Sequence, residues 1–269
     1  MLSPRQGFTL LEIAIVVTII ALIAGGVLSA QTIIRNAQLR EVISEYDRHL
    51  KAISEFQSKY AYLPGDFNNA QNIWGTASGC PLGNPNDAPQ KATCDGNGNG
   101  VIGVSNGDAS LVNDGEWYRA WQHLANAGFI DGVYNGAFGL NGPNTGNAGI
   151  NIPASKLSGA GWTLAFLLAS TNSGDSSFWP DSYGHILIFG STSFSGAPDY
   201  GPSLTTSEAI DMDNKIDDGK PSRGKMRARL EFSSPSCVVQ EPSPNQDTDV
   251  YASTSSNKNI CSIFFLTGM

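Results

Sequence analysis

The pattern of hydrophobic positions divides this chain into an unbroken apolar run, a striped helix and a mosaic of short segments. From Phe8 to Ala30 the sequence FTLLEIAIVVTIIALIAGGVLSA is apolar apart from scattered hydroxyls and one charge, Glu12. At about 1.5 Å rise per residue a helix of this run covers a bilayer core of about 30 Å. From Gln31 the pattern changes without a break. Leu39, Val42, Ile43, Tyr46, Leu50, Ile53, Phe56 and Tyr60 recur at steps of three or four, and Arg40, Glu41, Glu45, Asp47, Arg48 and Lys51 fall on the other side, which predicts an amphipathic helix with one buried face. The helix should end at Tyr62-Leu63-Pro64-Gly65-Asp66, because proline disfavours helix in the residue before it and glycine follows as a turn former. Gly25 and Gly26 each lower helix propensity by about 1 kcal/mol. They allow either a bend or local melting, or close packing against another helix.

Beyond the spine the pattern is short and irregular. Residues 64–112 are rich in Asn, Gly, Pro and Asp and predict loop. Asn113 to Gly128 predicts a helix, with Asn113 or Asp114 as cap, Trp117, Ala120, Trp121 and Leu124 on its core side, and Gly128 at its end. A Gly/Asn-rich loop follows from Gly132 to Gly149. Strands are expected at His185 to Phe189, at Lys225 to Phe232 with its alternation of charged and apolar residues, and at Ile260 to Thr267. Thr205 and Glu208 form a capping box for a helix running to about Lys215. The expected fold is α+β: a long amino-terminal helix packed on a small antiparallel sheet with loop-rich insertions. The chain divides into a leader (1–7), a spine (8–61) and a globular head (62–269).

Composition sharpens this picture where it departs from the ordinary. Only 15% of residues are charged, while 30 Gly and 14 Pro punctuate the chain, so the head should be loop-rich rather than a helical bundle. The formal net charge of -8 comes without any lysine or arginine stripe, which argues against nucleic acid as a partner. All four cysteines, Cys80, Cys94, Cys237 and Cys261, follow the apolar run. An even count in that position points to disulfides in an oxidising compartment, and among the three connectivities, sequence-neighbour pairing of Cys80 with Cys94 and Cys237 with Cys261 closes small loops. No C-x-x-C or nearby histidine suggests zinc.

The first residues carry the strongest chemical signal. A secretory signal peptide is cut after its apolar core, whereas here the small residue Gly7 precedes the core and follows a short polar leader, MLSPRQG. A cut after Gly7 leaves the apolar helix on the mature protein as an anchor. Glu12 then becomes the fifth residue, and a carboxylate among lipid tails costs roughly 2.5–3.5 kcal/mol unless paired. The new amine on Phe8 lies one helical turn away, so amine and carboxylate can neutralise each other, within one chain or between neighbours.

The segment Gly7-Phe8-Thr9-Leu10-Leu11-Glu12 resembles the cleavage and methylation motif of type IV pilins and type II secretion pseudopilins. The resemblance covers the leader and the first half of the long helix. It implies cleavage between Gly7 and Phe8 by a prepilin peptidase, N-methylation of Phe8, and a role for Glu12 in docking the subunit into a helical filament. It also implies an inner-membrane anchor, an assembly platform and other pilin or pseudopilin subunits as partners, and a head in the periplasm or on a surface filament. A head covering 62–269 is larger than a major pseudopilin usually needs, which favours a minor pseudopilin or an adhesion-type pilin. Some large tip pseudopilins resemble this chain in size but lack the fifth-position Glu, so Glu12 argues for a subunit that packs beneath another.

In the head, Asp95-Gly96-Asn97-Gly98-Asn99-Gly100-Val101-Ile102 resembles the opening of a calcium loop, with oxygen ligands at Asp95, Asn97 and Asn99 and Gly at the sixth position. The twelfth position, normally a bidentate Glu, is Asn106, and Asp87 or Asp108 are the carboxylates available to supplement it. The alternative is an Asn/Gly turn closed by the Cys80–Cys94 bridge. A second acidic stretch, Asp211, Asp213, Asp217 and Asp218, collects carboxylates at a helix end where they oppose the dipole. It offers a cation site, a partner for Lys215, Lys220 or Arg223, or a solvated turn. The histidines are His49, His123 and His185, and no G-x-S-x-G, H-E-x-x-H or glycine-rich phosphate loop accompanies them. A filament subunit is therefore expected rather than a membrane-tethered enzyme.

Overall fold

The computed structural model describes residues 9–103, 115–139, 145–167, 178–179, 181, 183–191, 201–230, 236–239, 248–253 and 258–269. Helix α1 runs from Leu10 to Tyr60 without interruption. Thr9 caps its start, and Ala61, at φ 60, turns out of its end with its N–H bonded to the Gln57 carbonyl. The apolar stripe of its distal half is the side that the head covers. Val42, Ile53 and Phe56 are fully buried, and Ile43, Leu50 and Tyr60 pack at the margin.

The head is built around a four-stranded antiparallel sheet in the order β1 (Ala160–Leu167), β2 (Gly184–Ser191), β6 (Ile263–Leu266) and β3 (Met226–Ala228). Leu187 pairs with Leu164 on one side and Phe265 on the other, and Arg227 pairs with Phe264 at the far edge. Tyr46 of α1 stacks on Phe265 at 4.5 Å and donates its hydroxyl to the Leu266 carbonyl at 3.0 Å, which fixes the spine against β6. Helix α3 (Glu116–Asn126) brings Trp121 to the same core, where Trp162 of β1 is also fully buried. Helix α2 (Ala70–Trp74) is a single turn, and α4 (Thr206–Ile216) packs beside α1 and β3.

Both disulfides join sequence neighbours, Cys80 to Cys94 and Cys237 to Cys261. The second ties the small ribbon of β4 (Val238–Val239) and β5 (Val250–Tyr251) to the start of β6.

The structure revises several sequence expectations. Strand β1 lies in a stretch with no expected element. Its run AGWTLAFL is covered on both faces, so it lacks the alternation that marks a half-exposed strand. The strand expected from Lys225 to Phe232 is ordered as β3 over Met226–Ala228 alone, with Phe232 outside the described residues. Lys225 is exposed, but Arg227 and Arg229 are buried, and Arg227 pairs with Asp181 at 2.7 Å. Asn113 and Asp114, the expected caps of α3, lie outside the described residues, and Gly115 holds the N-cap position at φ 67.

Candidate functional site

Among the described residues, the proximal half of α1 has no partner within its own chain. Large apolar residues from Leu10 (89% exposed) to Ile34 (58%) stand bare, and the most apolar window of the helix, mean hydropathy 2.6, is wholly unburied. By length and composition this segment can cross a membrane. Its hydroxyls suit that solvent. Thr18 donates to the Ala14 and Ile15 carbonyls, Ser29 to Gly25, and Thr32 to Leu28, so each is satisfied by the helix itself. Among the described residues, a Cβ added at Gly25 or Gly26 would meet nothing within 4 Å, and the helix passes through both unbroken.

Glu12 is the exception among these apolar residues, and the structure gives it a local partner. Its carboxylate accepts the Thr9 backbone N–H at 2.8 Å and the Thr9 hydroxyl at 2.9 Å, while its own N–H donates to Thr9 Oγ1 at 3.3 Å. This is a capping box with the same Thr-x-x-Glu spacing as Thr205 and Glu208. Both of its residues follow the expected cut, so trimming leaves the box intact. Gly7 and Phe8 lie outside the described residues.

Where the bare segment meets the head, Arg35 forms a bidentate pair with Glu208, at 2.6 and 2.9 Å, and donates to the Ser203 carbonyl. Glu208 also closes the capping box of α4 with Thr205. Burial pushes this carboxyl upward, but Arg35 and the Thr205 N–H outweigh it and hold it below its ordinary value. Arg35 is raised in turn, chiefly by its hydrogen bonds to Glu208.

Further along, Glu45 departs from its expected place on the polar face. It is buried, and it accepts from Ser155 Oγ at 2.6 Å, Lys156 N at 2.8 Å and Trp162 Nε1 at 2.8 Å. His49, one turn on, lies edge-on to Trp121 and Trp162, and burial followed by the nearby Arg48 charge lowers it to about 3.

The 95–103 loop is folded around two buried carboxylates of the chain. Asp66 accepts the N–H groups of Asn99 and Gly100, each at 2.9 Å, and Glu116 accepts those of Asn97 (3.1 Å) and Gly103 (3.2 Å). The loop lies so close that a Cβ on Gly96 would collide with the Asp66 backbone. Each expected calcium ligand accepts a backbone N–H: Asp95 Oδ1 from Gln71, Asn97 Oδ1 from Asn99, and Asn99 Oδ1 from Val101. Asp87, a candidate supplement, instead accepts from Ser78, Asn84 and Gln90. Asn106 and Asp108 lie outside the described residues. Burial pushes Glu116 up to about 7, with the Asp66 charge adding to it against the N–H donors.

Two histidines act as fixtures of loop closure. His123 Nδ1 accepts Gly65 N at 3.1 Å, and its Nε2 faces Thr93 Oγ1 and the Cys94 carbonyl. His185 Nε2 accepts Ile102 N at 3.3 Å. Burial keeps both neutral, His123 at about 3.

Of the second acidic stretch, Asp213, Asp217 and Asp218 converge, with a carboxylate oxygen from each within 4.8 Å of the others, while Asp211 points to solvent.

Residues 2–28 match the family model described as the prokaryotic N-terminal methylation motif. Neither the curated proteins nor the solved structures compared with the chain gave a match. From its leader into the bare half of α1, the chain thus carries the signature of type IV pilins and pseudopilins.

Proposed function

We propose that this protein is a structural subunit of a helical filament of the bacterial envelope, either a type II secretion pseudopilus or a type IV pilus. In this reading a prepilin peptidase trims it between Gly7 and Phe8 and Phe8 is N-methylated. The bare half of α1 holds it in the inner membrane, with the head on the periplasmic side, until an assembly platform moves it into the filament. The observation that carries the reading is the position of the methylation motif, at the start of a helix whose first half is left unburied by the described residues of its own chain.

Burying one large aliphatic side chain is worth ~1.5–3 kcal/mol, so a row of them from Leu10 to Ile34 needs lipid tails or neighbouring helices. A filament core supplies the second environment, and lateral transfer between the two keeps the apolar surface out of water. Glu12 supports the same reading, because the capping box leaves its charge to be neutralised by a cation such as the Phe8 amine of its own or a neighbouring subunit. Its presence favours a subunit with another stacked above it over a capping tip. The size of the head favours a minor subunit over the main repeating one.

The test uses Glu12→Ala and Glu12→Gln, expressed in a host with active peptidase and platform. Glutamine keeps an acceptor for Thr9 and removes the charge. Both variants should be trimmed normally and remain in membranes, while their share in sheared filaments falls at least tenfold. Wild-type incorporation of the glutamine variant would remove the charge-pairing argument.

A further inference from the structure

We propose that the cavity between the distal half of α1, the turn after α3 and the strap leading into β1 binds a small zwitterion, an α-amino acid or a short peptide, through its carboxylate and its ammonium group. The cavity measures about 270 Å³, and its lining is drawn from 45–49 of α1, from 128–134 and from 153–156. That volume stands at the small end of ligand pockets, which suits a single amino acid or a dipeptide. The three segments are far apart in sequence, so a molecule held between them ties spine and head together.

His49 is the part of the lining that its own chain leaves unsatisfied. It is only 9% exposed, and its Nδ1 has no hydrogen-bond partner among the described residues. Trp121, whose ring lies edge-on with its centroid 5.0 Å away, is fully buried, and its Nε1 equally lacks a partner among the described residues. Two neighbouring buried nitrogens left in this way are costly. The indole only donates, and the imidazole, kept neutral by burial, can donate from Nδ1. The group that suits both is therefore an acceptor, and a ligand carboxylate entering beside the His49 ring is one.

The charges of the lining select the ligand. Glu45 is engaged by Ser155, Lys156 N and Trp162, and Arg48 is paired with Glu41 at 2.8 Å. The exposed residues Lys156 and Asp131 make no ion pair with any described residue. One uncommitted cation and one uncommitted anion suit a molecule with a charge of each sign, whereas a plain anion would be repelled by Asp131 and a plain cation by Lys156. Ile130 and Pro153, in the same lining, offer apolar contact to a side chain. The site lies in the head and the covered half of α1, so it stands or fails independently of the filament reading.

The experiment uses the full chain in detergent micelles, titrated with L-leucine and with glycyl-L-leucine. Calorimetry follows binding, and so does tryptophan fluorescence, because Trp121 and Trp162 flank His49. The expected result is saturable binding of one molecule of at least one probe per chain, with a Kd below about 1 mM. Tighter binding of L-leucine assigns the site to a free amino acid, and tighter binding of the dipeptide assigns it to a peptide. The N-acetylated form of the tighter probe lacks the ammonium and its amide lacks the carboxylate, and each should bind at least about tenfold more weakly. Lys156→Met and Asp131→Asn, both at exposed positions, should weaken the tighter probe to the same degree, while Lys51→Met on the open side of α1 should leave it unchanged. Absence of saturable binding by both probes would overturn the proposal. Undiminished binding in Lys156→Met and Asp131→Asn would overturn it by placing the ligand elsewhere, and undiminished binding of the acetylated and amidated forms would overturn it by showing that charge does not select the ligand.

Discussion

The two halves of α1 are one continuous helix in opposite solvents. From Leu10 to Ile34 large apolar side chains are exposed on every face, whereas from Leu39 to Phe56 one stripe is sealed by the head and the other faces water. The difference is written in period: an all-round apolar run asks for lipid or neighbours on every side, and a stripe asks for one protein surface. Arg35 stands at the change and ties the last bare turn to α4 through Glu208. The head therefore folds on the distal half alone, and the proximal half is left for an environment outside the chain.

Matched substitutions on the two halves break this comparison most forcefully. Ile53→Ala, at a fully buried position, should destabilise the head by ~2–5 kcal/mol in denaturant unfolding followed by tryptophan fluorescence. Ile20→Ala, 60% exposed before substitution, should change the same transition by less than about 0.5 kcal/mol. Equal effects would mean that the bare segment has a partner in the head.

A smaller contrast lies within the distal half. Glu45→Ala leaves the Trp162, Ser155 and Lys156 donors without their shared acceptor and should cost about 3 kcal/mol. Asp47→Ala, on the exposed side of the same turn, should fall within about 0.5 kcal/mol. The same unfolding experiment reads both.

Much of this architecture was legible in the sequence, and the exceptions share a cause. The spine and its stop at Pro64 follow from periodicity and backbone chemistry, and the capping box at Thr205 and Glu208 follows from spacing. Strands β2 and β6 were visible as apolar segments, with ends differing from the ordered spans. Helical spacing places Glu45 on the polar face because it gives only an angle around the axis, while the loop at 153–157 wraps over the flank of α1 and brings donors to a carboxylate nominally on the wet side. β1 was missed because coverage on both faces erases alternation. The wrapping of the 95–103 loop around Asp66 and Glu116 was hidden because these acceptors come from distant parts of the chain. At the amino terminus the motif is plain in the sequence, and the Thr9-x-x-Glu12 spacing encodes a capping box just as Thr205 and Glu208 do.

That loop supplies the gentlest test, a slope with pH. Glu116 has a folded value of about 7 against an ordinary 4.5, so the folded state holds its proton more tightly than the unfolded chain. Its contribution is complete below about pH 4.5 and is lost as pH rises through 7, with a slope of at most about 1.4 kcal/mol per pH unit. His49 and His123, both lowered to about 3, act in the opposite sense and lose stability as pH falls below about 6.5. Subtracting the pH–stability profile of Glu116→Gln from that of the wild type should isolate the decline between pH 5 and 8 and leave the acid limb unchanged. Parallel profiles would remove the burial of Glu116 as its cause.

The central claim is that the bare half of α1 is kept on the mature protein as an anchor and filament core. Intact-mass spectrometry of protein extracted from membranes of cells with active prepilin peptidase tests it directly. The account predicts a chain that begins at methylated Phe8 and retains everything after it. A chain that still begins at Met1, or one that begins beyond Ala30 as a water-soluble head, would contradict it.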